Sequence, residues 1–150
     1  MTGKIIRVHA TCVTLPDSDG GWSGVLLRGP SGAGKSDLAL RLIDEGARLV
    51  ADDQTELRPV GDRLLAGAPK TIVGKIEARG IGILELPYMD DVPLRLVCDL
   101  VRPGGDGVAR LPEPANLRLA GIELPLVALA PFEASAPAKL RLAFGTPLKV

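Results

Sequence analysis

The sequence predicts a strand-rich α/β domain, and three observations support that prediction. Short apolar runs built mainly from Val, Ile and Leu recur along the 150 residues. The 13 prolines and 18 glycines interrupt these runs, which favours many short strands over long helices. Helices are expected in two places, at 36–45 and at 135–144. The pattern is not that of an evenly alternating doubly wound sheet.

Composition and charge narrow the functional class. A hydrophobic content of 46% is enough for a core and excludes intrinsic disorder, so we expect one domain over residues 1–150. The 18 basic and 18 acidic side chains balance, and neither half of the chain is a basic block. We therefore expect no nucleic-acid partner. Charged residues interrupt each apolar run, which predicts no membrane segment and a cytoplasmic location.

The individual elements follow from local patterns. Leu38, Leu42 and Ile43 recur at helical spacing in 36–45, and Gly46 follows as a typical residue just beyond a helix end. Segment 71–78 fits either a helix or a strand. Strands are predicted at 4–15, 24–28, 48–51 and 93–101, and a buried strand is predicted within 79–87. Segments 56–60 and 63–65 are expected to form a hairpin, and 117–130 contains two further apolar runs. Segment 103–107 is predicted to be a loop.

A glycine-rich segment stands between a predicted strand and the first predicted helix. It fits the pattern G-x-x-x-x-G-K-[ST] with Gly29, Pro30, Ser31, Gly32, Ala33, Gly34, Lys35 and Ser36. Such a backbone turns successive N–H groups toward phosphate oxygens, and the helix N-terminus favours anions. In this pattern Lys35 offers charge to the β- and γ-phosphates, and Ser36 offers a hydroxyl to Mg²⁺. The segment predicts an ATP site, with an incidental glycine-rich turn as the alternative.

An acidic pair, Asp52 and Asp53, follows the strand predicted at 48–51. We expect a β–α–β unit to place this strand beside the strand before the glycine-rich segment, with both carboxyl ends at one edge of the sheet. A carboxylate there can hold Mg²⁺ or accept a proton from an attacking hydroxyl. The alternative is a pair that only begins a turn.

The two cysteines, Cys12 and Cys98, lie far apart in apolar runs. They form neither a CxxC pair nor a cluster with histidine. Buried free thiols are therefore expected, in preference to a disulfide or a metal site.

Four features in this order resemble the catalytic domain of HPr kinase/phosphorylase. They are His9, the glycine-rich segment, residues 46–53 (GARLVADD) and residues 76–84 (IEARGIGIL). The last two match the family patterns G-x-R-L-x-A-D-D and E-x-R-G-[LI]-G-I, which are more specific than the glycine-rich segment. The resemblance covers about residues 5–100. It implies an HPr kinase/phosphoenolpyruvate carboxykinase-like fold and the use of ATP to phosphorylate a serine of the small carrier protein HPr.

The resemblance also implies roles at the matching positions. Asp53 is expected to be the general base for the substrate serine, and Asp52 to assist it or the metal. Lys35 is expected to bind the transferred phosphate. His9 matches an active-site histidine, although without the family it reads as an ordinary packed or surface residue.

The metal ligands are implied in the same way. Ser36 and Glu77 match the family's Mg²⁺ ligands. Without the family, Glu77 reads as an ordinary charged residue, and the nearby Arg79 either neutralises transition-state charge or pairs with Glu77.

Two segments depart from the family. Residues 85–91 (ELPYMDD) replace a Phe-Gly-Ala-Gly loop that lies near the partner site in the family. Residues 124–131 (LPLVALAP) stand where the family has a Pro-Gly-Arg-Asn core that is tied to dephosphorylation. The resemblance therefore favours the kinase reaction over its reverse, and the chain resembles the short α-proteobacterial form without a separate N-terminal domain.

The sequence thus predicts an ATP- and Mg²⁺-dependent protein-serine kinase acting on HPr or an HPr-like phosphocarrier. By resemblance it is expected to form homo-oligomers, as hexamers. Two alternatives remain at this point, a P-loop kinase or ATPase acting on a small molecule and a nucleotide-binding sensor without catalysis.

Overall fold

The computed structural model describes residues 3–101, 108–110 and 112–145. Within those ranges it contains eleven strands, two α-helices and one short 3₁₀ turn. The strands are β1 (Ile6–Val8), β2 (Ala10–Pro16), β3 (Trp22–Arg28), β4 (Arg48–Ala51), β5 (Thr55–Val60), β6 (Arg63–Gly67), β7 (Lys75–Ala78), β8 (Gly82–Glu85), β9 (Val92–Leu100), β10 (Ala115–Leu119) and β11 (Ile122–Leu129). The helices are α1 (Lys35–Asp44) and α2 (Ala136–Gly145), and the 3₁₀ turn is Lys70–Ile72.

Nine strands form one mixed sheet, whose main path is β1-β5-β6-β9-β3-β2-β4. β11 joins β9 in parallel, and β10 pairs with β11 in the antiparallel direction. β3 is also parallel to β9, whereas β2 is antiparallel to both of its neighbours, β3 and β4. As a result β3, β4, β9 and β11 all end at one edge of the sheet, and β2 begins at that edge.

Two apolar layers cover the two faces of the central strands. On one face Leu38 of α1 and Leu140 of α2 pack in the same cluster as Leu27 of β3. On the other face Leu57 of β5 packs in a second cluster with Leu26, the neighbouring residue of β3. Burial on both faces explains why β3 reads as a continuous apolar run rather than an alternating one.

Several predicted elements are confirmed. The helix predicted at 36–45 is α1, and the helix predicted at 135–144 is α2. Gly46 has a φ of 115°, the left-handed conformation expected just beyond a helix end. The strand predicted at 48–51 is β4, the predicted hairpin is β5 with β6, and the apolar runs within 117–130 form the hairpin of β10 and β11. The strand-rich α/β class is therefore correct.

The single strand predicted at 4–15 is wrong. The chain forms two strands, β1 and β2, which are separated by a bend at His9. β1 pairs with β5, whereas β2 pairs with β3 and β4. Because the two strands pair with different neighbours, the chain changes direction between them. His9 lies at this bend.

A strand forms within 79–87 as predicted (β8), but the prediction that it is buried is wrong. Among the described residues β8 pairs with β7 alone, in a two-stranded sheet apart from the main one. Its inner side packs through Leu84 against the helix-side layer, next to Ile76 of β7. Ile81 and Ile83, however, are 78% and 72% exposed. The ambiguous segment 71–78 holds the end of the 3₁₀ turn and β7.

The prediction that β4 lies beside β3, the strand before the glycine-rich segment, is wrong as well. β4 does not lie beside β3, because β2 is inserted between them. β4 nevertheless points the same way as β3, so both carboxyl ends reach the same edge, as the sequence predicted. The loop predicted at 103–107 lies outside the described residues. Within the described ranges, neither helix has the length and apolarity needed to cross a membrane.

The cysteines are free, as predicted. Cys12 belongs to the layer with Leu26 and Cys98 to the helix-side layer, so the sheet separates the two thiols. Burial raises the pKa of both thiols, and the pKa of Cys98 reaches about 12 because the carboxylate of Asp99 adds to the effect of burial.

We predict that the native protein does not react with Ellman's reagent at pH 8. The reagent attacks the thiolate, and the raised pKa keeps both buried thiols protonated at that pH. After unfolding in guanidinium chloride both thiols should react, which provides the positive control. Rapid stoichiometric labelling of native protein would contradict the buried positions.

Candidate active site

The functional residues predicted from the sequence meet at the edge where β3 and β4 end and β2 begins. Ala10 of β2 is opposite Arg28 of β3, and Cys12 is opposite Ala51 of β4. The glycine-rich loop therefore follows β3 at this edge, and the acidic pair follows β4. His9 precedes β2 between them.

The glycine-rich loop connects β3 to α1, and two of its glycines are required by its shape. A Cβ added to Gly29 would lie 2.9 Å from the Cβ of Ala33 and 3.4 Å from the carbonyl oxygen of Leu100. Gly34, directly before α1, has a φ of 99°, a conformation that other residues rarely adopt. The turn is closed by the N–H of Ala33, which donates to the carbonyl of Pro30 at 3.0 Å. These contacts hold the loop at the N-terminus of α1, where backbone N–H groups favour an anion.

Lys35, the first residue of α1, turns back into the loop. Its side chain is nearly buried, with 6% of the residue exposed. Nζ donates to the carbonyl oxygens of Gly29 at 2.7 Å and of Pro30 at 3.1 Å. The ammonium group is thus held inside the predicted phosphate loop rather than on the outer surface.

Asp52 is buried, with 8% of the residue exposed, and three donors surround its carboxylate. Oδ1 accepts from the hydroxyl of Ser36 at 2.6 Å and from the hydroxyl of Thr11 at 3.2 Å. Oδ2 accepts from the backbone N–H of Glu77 at 3.1 Å. These hydrogen bonds compensate for the burial of the carboxylate.

Asp53 differs sharply from its neighbour, because 61% of its side chain is exposed. Its φ of 67° turns the chain out of β4. Its Oδ1 lies 2.7 Å from Nε2 of His9. Since an ionised carboxylate can only accept a hydrogen bond, the imidazole donates from Nε2. The structure therefore brings His9 and Asp53 into direct contact across a sequence separation of 44 residues.

Thr11 was missed by the sequence reasoning. Its side chain is fully buried, and its hydroxyl bridges the acidic pair. Oγ1 donates to Oδ1 of Asp52 at 3.2 Å and accepts from the N–H of Asp53 at 3.0 Å. The available signal was a threonine two positions after His9 in a strand whose only other polar residue is Thr14. Thr11 fixes the turn in which Asp53 takes its left-handed conformation.

The two predicted metal ligands, Ser36 and Glu77, both lie beside Asp52. Ser36 approaches through its hydroxyl and Glu77 through its backbone N–H, while the side chain of Glu77 is exposed on β7. In the ranges that the structure describes, no three His, Cys, Asp or Glu side chains are grouped closely enough to hold a metal. The oxygen donors of Ser36, Asp52 and Glu77 are nevertheless the type that Mg²⁺ prefers, and Mg²⁺ commonly takes its remaining ligands from phosphate and water.

The geometry combines two chemical capacities at one edge. The loop and α1 provide backbone N–H groups and an ammonium group for an anion. Across β2, two strand spacings or about 10 Å from the end of β3, Asp53 presents an exposed carboxylate in contact with the imidazole of His9. Such a carboxylate can accept a proton from a hydroxyl that attacks an anion held in the loop.

Comparisons with known proteins show which family this sequence is similar to. A family model described as HPr Serine kinase C-terminal domain matches residues 4–89. That range includes His9, the glycine-rich loop, the acidic pair and Glu77.

Individual relatives extend the comparison. An HPr kinase/phosphorylase of Azoarcus is 42% identical over 117 residues, which are 71% of this chain and 37% of that protein. An HPr kinase/phosphorylase of Exiguobacterium is 56% identical over 64 residues, which are 42% of this chain and 21% of that protein. The matched segments thus span between about a fifth and just over a third of these curated relatives.

A solved structure matches most of the chain. The Hpr(Ser) kinase/phosphatase from Coxiella burnetii superposes with a TM-score of 0.75 and 28% sequence identity. The match covers 90% of this chain and 91% of that one.

We predict that Thr11→Val loosens the turn that carries Asp53. Valine keeps the shape of threonine but leaves the N–H of Asp53 without its acceptor, so amide hydrogen exchange at Asp53 should accelerate. The free energy of unfolding should fall by about 1–3 kcal/mol. NMR-detected exchange and urea unfolding measure the two effects.

Thr14→Val is the matched control for this experiment. Thr14 is also fully buried in β2, and its hydroxyl donates to the carbonyl of Ser23 at 2.9 Å, toward the other end of the strand. The control should lose comparable stability without faster exchange at Asp53. Equal exchange at Asp53 in both variants would contradict the role given to Thr11.

Proposed function

This chain belongs to the HPr serine kinase C-terminal domain family, and we propose that it transfers a phosphoryl group from ATP to a serine of HPr or of an HPr-like phosphocarrier. The observation that carries the proposal is the contact of 2.7 Å between His9 and the exposed carboxylate of Asp53, at the same sheet edge as the glycine-rich loop. Protein-serine kinases need this pairing of a phosphate site with a nearby base.

The phosphates of ATP would lie in the loop of residues 29–36. The backbone N–H groups of the loop and of the first turn of α1 would bind phosphate oxygens. Lys35 supports the proposal because its ammonium group is already directed into the loop, 2.7 Å from the carbonyl of Gly29. A bound phosphate would compete with the loop carbonyls for this ammonium group.

Mg²⁺ would be held by Ser36 and Glu77, next to the buried carboxylate of Asp52. The ion would supply charge neutralisation for the phosphate oxygens. What the chain itself contributes is a fixed hydroxyl, because Ser36 donates to Asp52 at 2.6 Å. Asp52 would thereby orient the oxygen of Ser36 without leaving its buried position.

Asp53 would act as the general base. The serine oxygen of the acceptor would form a bond to the γ-phosphorus, the bond from that phosphorus to the β–γ bridging oxygen would break, and ADP would leave. The serine proton would pass to the carboxylate of Asp53. His9 would hold this carboxylate in position through its Nε2–H, and Thr11 would hold the backbone beneath it.

A protein acceptor fits this site better than a small molecule. The site is open, because 43% of the His9 side chain and 61% of the Asp53 side chain are exposed. The β7–β8 hairpin lies beside it, since Glu77 of β7 donates to Asp52. Ile83, directly opposite Glu77 in the hairpin, is 72% exposed. Ile81, in the turn of the same hairpin, is 78% exposed, and two exposed apolar side chains on one hairpin favour a macromolecular partner.

The reverse reaction is not part of the proposal. Most of residues 124–131, where the family's dephosphorylation motif is expected, form β11, which pairs with β9 and β10. Homo-oligomers, hexamers by resemblance, and a cytoplasmic location stay predictions. Analytical ultracentrifugation of the protein would measure its assembly.

We predict that Asp53→Asn strongly slows phosphorylation of HPr while ADP still binds. Asparagine preserves the shape of the side chain but cannot accept the serine proton. The transfer rate should fall by about 10²–10⁴-fold. The assay incubates the protein with ATP, Mg²⁺ and HPr, maps phosphoserine by mass spectrometry and measures ADP affinity by calorimetry.

Asp44→Asn is the control, because Asp44 is an exposed carboxylate at the far end of α1. It should transfer phosphate at the wild-type rate. An unimpaired rate in Asp53→Asn would eliminate its role as base. Wild-type protein that binds ADP but never modifies HPr would favour the sensor, and turnover of ATP without any protein acceptor would favour the small-molecule kinase.

We predict that Ile83→Ser raises KM for HPr by about fivefold or more. The substitution removes an exposed apolar contact for the acceptor but leaves Glu77 and the nucleotide loop intact. Steady-state kinetics with HPr as the varied substrate measure the effect, and ADP affinity should stay unchanged. Leu142→Ser, at an exposed position of α2 (67% exposed), is the control. An unaltered KM in Ile83→Ser would contradict an acceptor surface on the hairpin.

A further inference from the structure

An exposed aromatic ring lies against the glycine-rich loop. Phe132, in the loop between β11 and α2, is 56% exposed. A Cβ added to Gly34 would lie 2.9 Å from Cζ and 3.2 Å from Cε1 of Phe132. The ring therefore touches the loop at the residue that precedes α1, while more than half of the residue stays exposed.

The segment that carries Phe132 is anchored to α1. Arg41 of α1 donates to the carbonyl of Pro131 and to that of Glu133, the latter at 3.4 Å. The N–H of Glu133 donates to the carbonyl of Ala130 at 3.3 Å. Pro131 itself is buried. Contacts at Pro131 and Glu133, the residues before and after Phe132, thus fix the position of the exposed ring relative to the loop.

The order of the strands places Phe132 and Asp53 on opposite sides of the loop. β11, β9 and β3 are adjacent parallel strands that end at the same edge. β2 and β4, with His9 and Asp53, continue the sheet on the other side of β3. β11 lies two strand spacings from β3, which is about 10 Å. Phe132 extends from the end of β11 back to Gly34, so its ring lies on the β11 side of the loop, where the ribose and base of a nucleotide with its phosphates in the loop would fit.

We propose that Phe132 is the platform on which the base of the nucleotide stacks, an inference that rests on the proposed nucleotide binding. With the phosphates in the loop and the reacting end toward Asp53, the base extends toward β11. The ring of Phe132 there offers an accessible aromatic surface. Stacking uses the π-face that every base has, so Phe132 contributes affinity for adenine and guanine nucleotides alike.

The experiment compares a nucleotide with a ligand that has phosphates but no base. Calorimetry measures the affinities of ADP, GDP and pyrophosphate, each with Mg²⁺. We expect Phe132→Ala to weaken ADP and GDP by about 5- to 150-fold and to leave pyrophosphate affinity unchanged. Phe132→Trp should retain ADP affinity, and ADP but not pyrophosphate should alter the fluorescence of the new indole. The native Trp22 begins β3 at the opposite edge, so subtraction of the wild-type signal isolates the new one.

Two controls make the outcomes distinct. Leu142→Ala removes another exposed apolar side chain, on α2, and should change neither affinity. Lys35→Ala removes the phosphate contact and should weaken ADP and pyrophosphate together. Circular dichroism and urea unfolding of each variant verify that the fold is retained.

Each contrary result has its own meaning. Equal weakening of ADP and pyrophosphate in Phe132→Ala would show that the ring only supports the loop, and would overturn the inference. Unchanged ADP affinity in Phe132→Ala would overturn it as well. If the wild-type protein bound pyrophosphate but not nucleotides, or bound neither, the proposed nucleotide function would fail and the inference with it.

Discussion

A single buried carboxylate determines the arrangement of the site. Asp52 accepts hydrogen bonds from Ser36 of α1, Thr11 of β2 and the backbone of Glu77 in β7. One side chain at the end of β4 therefore fixes three other elements relative to one another. Because burial of an unpaired carboxylate is costly, the three donors stabilise the buried position of Asp52. Asp52 in turn fixes the positions of the three donors. The exposed Asp53 can then be oriented by its neighbour in the chain without being buried itself.

The antiparallel insertion of β2 explains how chemistry from distant segments meets. In a sheet of parallel strands only, the residues that precede a strand lie at the edge opposite the ligand edge. Here β2 runs against β3 and β4, so its first residues lie where those strands end. His9 and Thr11 reach Asp53 for this reason. An evenly wound sheet would have placed them on the far side of the molecule.

The sequence predicted the parts of the fold that local patterns encode. The glycine-rich loop, α1 with Gly46 behind it, and β4 carry their own signals in spacing and residue type. The contact of His9 with Asp53 depends on strand order, which no local pattern encodes; the family resemblance predicted only that both residues belong to the active site. The exposure of Ile83 was mispredicted because an apolar residue looks the same in a buried strand and in a two-stranded sheet with one uncovered face. Thr11 was missed because its hydroxyl acts through a turn formed 41 residues later.

Charge recognition at this edge depends on short-range geometry rather than on a basic surface. The chain has 18 basic and 18 acidic residues. Arg28, at the end of β3, is neutralised by a bidentate ion pair with Asp99, with hydrogen bonds of 2.7 and 3.0 Å. What remains for an anion is a set of directed backbone N–H groups and the nearly buried ammonium of Lys35. Buried charges are screened less by salt than exposed ones, so few are needed. Asp53 and Phe132 lie on opposite sides of these groups, so the edge is asymmetric about the loop, and the proposed nucleotide would bind there in one orientation.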